Sequence, residues 1–167
     1  MNSKSKGMIQ KISDFTDKYF IKHDLFDLPM RLLLIGKSQL SGKSTLMINL
    51  VAQDWGYKNI FKPENIYIVS PSIKTEKFRK FISYMEIPEE NLFNEYDEEN
   101  LNTLYELLKT DHESNEEKEH KLIILDDVAY SGKLSSSGSK SENIMDKLFS
   151  NSRHVLISLI VIAQKYT

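Results

Sequence analysis

Residues 30–45 read MRLLLIGKSQLSGKST: an apolar run, a glycine, a polar turn, then a second glycine followed by Lys43, Ser44 and Thr45. An unbroken run such as MRLLLIG suits a strand buried on both faces, because a half-exposed strand alternates instead. After the turn, KSTLMINLVAQD (43–54) sets Leu46, Ile48, Leu50 and Val51 among good helix formers, so the order is strand, loop, helix. A loop in that context turns backbone N–H groups inward at a helix start, where the dipole favours an anion, and holds an ammonium near phosphates. The spacing departs from the usual G-x-x-x-x-G-K-[ST]. Lys37, Ser38, Gln39, Leu40 and Ser41 all separate Gly36 from Gly42, where the usual pattern has four residues. The phosphate contacts fall mainly on Ser41, Gly42, Lys43, Ser44 and Thr45, and that half is intact. Gly42 allows close backbone approach, Lys43 supplies charge, and the Ser44 hydroxyl is placed to ligate Mg²⁺. Either the loop bulges by one residue, or Gly36 lies just outside it and Lys37 takes the first position, which sets a second cation beside the phosphates.

KLIILDD (121–127) is another buried strand, closing on two carboxylates. That arrangement either delivers Asp126 to a Mg²⁺ shell and Asp127 toward an attacking water, or is a buried strand that merely ends in an acidic turn. LISLIVIAQ (156–164) brings Gln164 to a strand end, where an amide can sense a γ-phosphate; a polar residue there is otherwise a solvated cap. NIYIVSP (65–71) is a short strand stopped by proline, and EKFRKFISYM (76–85), EENLNTLYELLK (98–109) and SENIMDKLFSNS (141–152) are helical stretches. TDHESNEEKEH (110–120) is polar throughout and reads as a mobile loop, and SGKLSSSGSKS (131–141) as a flexible one. MIQKISDFTDKYFIKHDLF (8–26) places Ile9, Ile12, Phe15, Tyr19 and Phe20 near helical spacing before Leu28-Pro29. The expectation is an N-terminal helical segment, 1–28, and one α/β domain, 29–167, whose central sheet is mainly parallel and flanked by helices.

A chain of 167 residues can bury one real core. The absence of cysteine excludes a disulfide framework, a thiolate zinc site and a cysteine nucleophile. The longest apolar run, VLISLIVIA (155–163), is too short for a bilayer, and the first thirty residues lack an apolar signal region. The expectation is a soluble intracellular protein that does not engage membrane. A net charge of −2 hides an asymmetry: residues 86–119 carry 13 acidic and 2 basic side chains, whereas residues 1–85 carry 14 basic and 7 acidic. A basic body permits nucleic-acid contact, although an acidic run is most often a solvated helix and loop.

The run from LLLIGKSQLSGKSTLMINL through LIILDDV to MDKLFSNSRHVLISLIVIAQKYT resembles the genome-packaging ATPases of poxviruses and other large DNA viruses, in the FtsK–HerA group of P-loop motors. Its most specific part is the tail: Asp126 and Asp127 closing a strand, Arg153 and His154 after a helix, and Gln164 ending the next strand. The resemblance implies a RecA/FtsK–HerA-like P-loop NTPase with ATP and Mg²⁺ as cofactors, and a homo-oligomeric ring that drives double-stranded DNA into a capsid. It also implies capsid vertex proteins as partners, and host cytoplasm or virion as location. Lys43, Asp127, Gln164 and Arg153 become the catalytic residues, Gly36 to Thr45 the nucleotide loop, and Ser44 and Asp126 the metal ligands. Asp127 stands where many such motors carry Glu.

The resemblance also implies that the strand ending in Gln164 lies between MRLLLIG and the acidic strand, with a further helix and strand beyond MRLLLIG. Only three residues follow Gln164 here, so the expectation is a domain truncated at its C-terminus, or an edge covered by the N-terminal segment or a neighbouring subunit. Arg153 is either an arginine reaching a neighbour's γ-phosphate or an exposed helix-end cation. Lys133 and Lys140 are either DNA-backbone contacts or part of a solvated loop. A terminase-type motor, a nucleoside kinase and a non-catalytic P-loop scaffold share the same loop and stay open as alternatives.

Overall fold

The computed structural model describes residues 18–37, 41–127 and 143–164. Five parallel strands form one sheet in the order β1-β5-β4-β2-β3: β1 (Arg31–Gly36), β2 (Ile66–Val69), β3 (Leu92–Phe93), β4 (Lys121–Asp126) and β5 (Ile157–Gln164). The strand ending in Gln164 does lie between β1 and the acidic strand. Helices α1 (Lys43–Ala52), α2 (Glu76–Met85), α3 (Glu98–Ser114) and α4 (Ile144–Ser150) connect the strands in chain order. The fold is thus α/β with helices on both faces of a parallel sheet.

Strand alternation sorts the core into two layers. Leu32, Leu34, Ile66, Ile68, Leu122, Ile124, Ile160 and Ile162 face one way, where Met47, Leu50 and Val51 of α1 and Phe78, Phe81 and Met85 of α2 cover them. Ile123, Leu125, Ile157, Leu159 and Val161 face the other way, against Leu101, Leu104, Tyr105 and Leu108 of α3 and Ile144, Met145 and Leu148 of α4. That second helical layer stops before β1. Leu33 and Ile35, which share its face, remain 49% and 60% exposed. The both-face burial expected of MRLLLIG is therefore corrected: among the described residues β1 is an edge strand covered on one face. An apolar run does not tell an edge from a centre when one face simply lacks its helix.

The stretch expected as the mobile loop 110–120 is also partly corrected. α3 continues to Ser114, and Asp111 on its last turn pairs with Lys121 at 2.7 Å, the lysine side chain being only 3% exposed. The helix starts on Asp97, whose carboxylate accepts the Asn100 N–H at 2.7 Å, with Glu98 and Glu99 in a first turn that favours anions. Glu119 accepts from Asn65 at 2.7 Å and pairs with Lys62, so the end of the stretch is anchored as well.

Most of the helix expected at 8–26 lies outside the described residues. Within 20–28 the chain is not helical but folds back on itself through bends at 24 and 25, with Ile21 bridging Leu28 antiparallel. Tyr57 holds this strap: its hydroxyl donates to the Phe26 carbonyl and accepts the Phe26 N–H, each at 3.1 Å. Among the described residues no helix is long and apolar enough to cross a membrane.

Candidate functional site

Because every strand runs the same way, the C-terminal strand ends gather on one side of the sheet, the side where ligands bind in open parallel sheets. Ser41 to Thr45, Ser72, Lys77, Asp126, Asp127, Ile162 and Gln164 line one open cleft of about 410 Å³ there. Register explains the gathering. Gly36 pairs with Gln164 and Asp126 with Ile162, so the end of β1, the acidic strand end and the amide strand end stand side by side.

Gly42 caps α1 in the left-handed region at φ 74°, and nothing lies within 4 Å of where a Cβ would be. The backbone is shaped for glycine, and the space before it is open to an approaching group. Lys43 curls back over the loop, its Nζ donating to the Gly36 carbonyl (3.0 Å), the Lys37 carbonyl (2.6 Å) and Ser41 Oγ (2.9 Å). These acceptors are all neutral, so a phosphate oxygen would compete well for the same ammonium. Gly36 is the last residue of β1. The Lys37 side chain is exposed and does not line the cleft; only its carbonyl faces Lys43. Ser38, Gln39 and Leu40 lie outside the described residues, as do Lys133 and Lys140 of the loop after the acidic pair.

Asp126 is buried at the end of β4, and Ser70 Oγ donates to its Oδ2 at 2.8 Å. Ser70 Oγ in turn accepts the Ser72 N–H at 3.0 Å, so one carboxylate oxygen is held and the orientation of the group is fixed. Burial pushes the Asp126 carboxyl above the usual range and the adjacent Asp127 adds to this, while the Ser70 hydrogen bond and Lys43 oppose it. Burial also raises Asp127, against the pull of Lys43. Asp127 adopts φ 59° and donates its N–H to the Ile162 carbonyl at 3.0 Å, a backbone turn that directs the residue out of the strand. A non-glycine residue in that region is uncommon and is held by its surroundings.

The donor set fits Mg²⁺. Ser44 and Asp126 offer hard oxygen ligands in the same cleft, and Mg²⁺ binds through one or two protein oxygens plus phosphates rather than through a protein cage. No group of three or more His, Cys, Asp or Glu suited to a metal occurs among the described residues. A cation beside Asp126 would also relieve the cost of its buried charge.

Arg153 stands apart. It lies in the short 3₁₀ turn Ser152–Val155 before β5, so the eight residues of that strand, ~3.3 Å each, separate it from Gln164. Its guanidinium packs over the Phe20 ring at 4.5 Å and sits near Arg31. Sequence reasoning missed Ser70, Ser72 and Lys77. The available signal was positional: Ser70 follows β2, whose Val69 pairs with Leu125, so the next residue on each strand, Ser70 and Asp126, must also be neighbours.

A structure titled as the N-terminal domain of zonular occludens toxin from Neisseria meningitidis is 19% identical, with a TM-score of 0.43; the alignment covers 81% of this chain and 66% of that one, a likeness too loose to bear on function. No curated protein matches the sequence. The family model described as "Poxvirus A32 protein" matches residues 17–167, taking in the glycine loop, the acidic strand end and the Gln164 strand. With these elements around one cleft, the fold is that of a P-loop NTPase, and the chain belongs to the poxvirus A32 protein family.

Proposed function

We propose that this domain hydrolyses ATP with Mg²⁺ and that the hydrolysis drives double-stranded DNA into a viral capsid. The observation that carries the reading is the convergence of Lys43, Ser44, Asp126, Asp127 and Gln164 on one cleft at the strand ends. Loop N–H groups and the Lys43 ammonium hold the phosphates. Ser44 and Asp126 would hold the metal, which when bound supplies neutralising charge. Asp127 orients the attacking water and takes up its proton, a task suited to a carboxyl that burial has made more basic. Gln164, two residues beyond the partner of Asp126, reports the state of the terminal phosphate along β5.

DNA, the capsid vertex and the FtsK–HerA-type ring enter through family membership. In such a ring Arg153, remote from its own cleft, would serve a neighbour's γ-phosphate. Phosphate release by the purified chain, measured with and without duplex DNA and against Lys43→Ala, tests the reading. DNA-stimulated turnover that Lys43→Ala abolishes is the expected result. Phosphorylation of a nucleoside would identify a kinase instead, and absence of either activity a non-catalytic scaffold. For Arg153, mixing inactive Arg153→Ala and Lys43→Ala subunits should restore part of the turnover; mixed rings that stay inactive at every ratio exclude a role across the interface.

A further inference from the structure

Lys77 lies on α2, outside the glycine loop and outside the acidic strand, yet it lines the cleft. Its Nζ donates to Thr45 Oγ1 at 3.1 Å, reaching from the first turn of α2 to the first turn of α1. A lysine ammonium has three donors, and a single neutral hydroxyl uses one of them. Among the described residues no carboxylate lies within ion-pair distance of Lys77, whereas Lys80 on the same helix pairs with Glu76 at 2.6 Å. Among the described residues, Lys77 is thus a cation held at the cleft by a neutral hydroxyl and not by a carboxylate.

Its mounting ties it to the acidic side of the cleft. Thr75, just before α2, donates its N–H (2.9 Å) and its hydroxyl (2.8 Å) to the Ser72 carbonyl. The Ser72 N–H donates to Ser70 Oγ, which donates to Asp126. A short hydrogen-bonded turn therefore connects the buried carboxylate to the start of the helix that carries Lys77. Charge balance gives this placement a purpose. A magnesium-bound triphosphate remains anionic, and Asp126 and Asp127 add negative charge beside it; Lys43 alone does not offset the sum. Arg153 is at the far end of β5.

We propose that Lys77 is a second phosphate-binding cation supplied by the same chain, moving from Thr45 onto the terminal phosphate of a bound nucleoside triphosphate. This deepens the nucleotide reading above and rests on it. Terminal-phosphate contact gives the site a preference for triphosphate over diphosphate that the loop, which grips both, does not supply by itself.

The test is calorimetric titration of the purified chain with ADP and with a non-hydrolysable ATP analogue, both with Mg²⁺, for the wild type, Lys77→Ala and Lys77→Arg. Lys77→Ala should weaken the ATP analogue about tenfold and ADP less than about twofold, with Lys77→Arg restoring most of the difference. Equal weakening of both nucleotides would mean that Lys77 only pins α2 to α1, and overturns the proposal. No change with either nucleotide also overturns it. A wild-type chain that binds neither nucleotide overturns the site reading together with this one, so the two failures are told apart by the wild type alone.

Discussion

The two ends of the sheet treat charge in opposite ways. At the N-terminal strand ends charge is paired within the protein: the buried Lys121 ammonium meets the Asp111 carboxylate, and Lys62 just before β2 meets Glu119 just before β4. At the C-terminal ends, the hydrogen-bond acceptors of Lys43 and Lys77 among the described residues are neutral oxygens, while Asp126 and Asp127 are carboxyls that burial makes harder to ionise. One end pairs its charges within the fold; the other leaves them available, as the proposed nucleotide site requires. Substitutions that break the ion pairs at the first should therefore change stability with little effect on chemistry, and those at the second the reverse.

The largest expected effect is at Lys43. Lys43→Ala should lower ATP turnover about a thousandfold while the melting temperature stays within a few degrees, as a phosphate-release assay and a thermal melt would show. A melt that collapses with the activity would erase the contrast between the ends. Asp127→Asn should retain nucleotide binding by calorimetry and lose about a hundredfold in turnover; normal turnover removes Asp127 from the water-orienting role. At the other end, Asp111→Ala strands the buried Lys121 ammonium and should cost about 2 kcal/mol in urea unfolding, moderated because the Asp111 side chain is half exposed. Turnover should not change.

Asp126→Asn sharpens the comparison by reversing the sign. It removes a buried charge yet leaves an acceptor for Ser70, so the nucleotide-free protein should gain about 1 kcal/mol in urea unfolding while losing Mg²⁺-dependent turnover. The smallest effect is the pH dependence of the Asp111–Lys121 pair. The hydrogen bond from Lys121 holds the Asp111 carboxyl below its ordinary value of 3.8. Its contribution is fully present above that value and is lost as pH falls through the lowered folded value. The stability difference between wild type and Asp111→Asn should therefore be constant from neutral pH down to about 4 and shrink below it; a difference that shrinks already near neutral pH would assign the effect to another group.

Much of this was legible in residues 30–45 and 121–127, because glycine, lysine and paired carboxylates at fixed strand positions have few other uses. The position of β5 beside β1 followed from the resemblance, not from local pattern, since strand order depends on which faces pair. The two-residue strand Leu92–Phe93 was too short to show a period. Residues 110–114 looked like a loop because composition hides a helix whose last turn is anchored by a distant lysine, Lys121. Ser70 and Lys77 were invisible for a related reason: a serine after a strand and a lysine on a helix are ordinary until the sheet register sets Ser70 beside Asp126 and the packing of α2 on α1 sets Lys77 beside Thr45.

Among the described residues β1 pairs with β5 alone, and the Met30 N–H reaches Ser158 Oγ across 128 residues of sequence. During synthesis at a ribosome, the strand that launches the phosphate loop emerges early and has no partner until nearly the whole of the described chain has followed it. Contacts of such long range form late and slowly. The cleft at the strand ends is therefore assembled by the same event that completes the sheet, and a nascent chain stopped short of β5 would carry the GKST sequence without the Gln164 strand that helps to line that cleft.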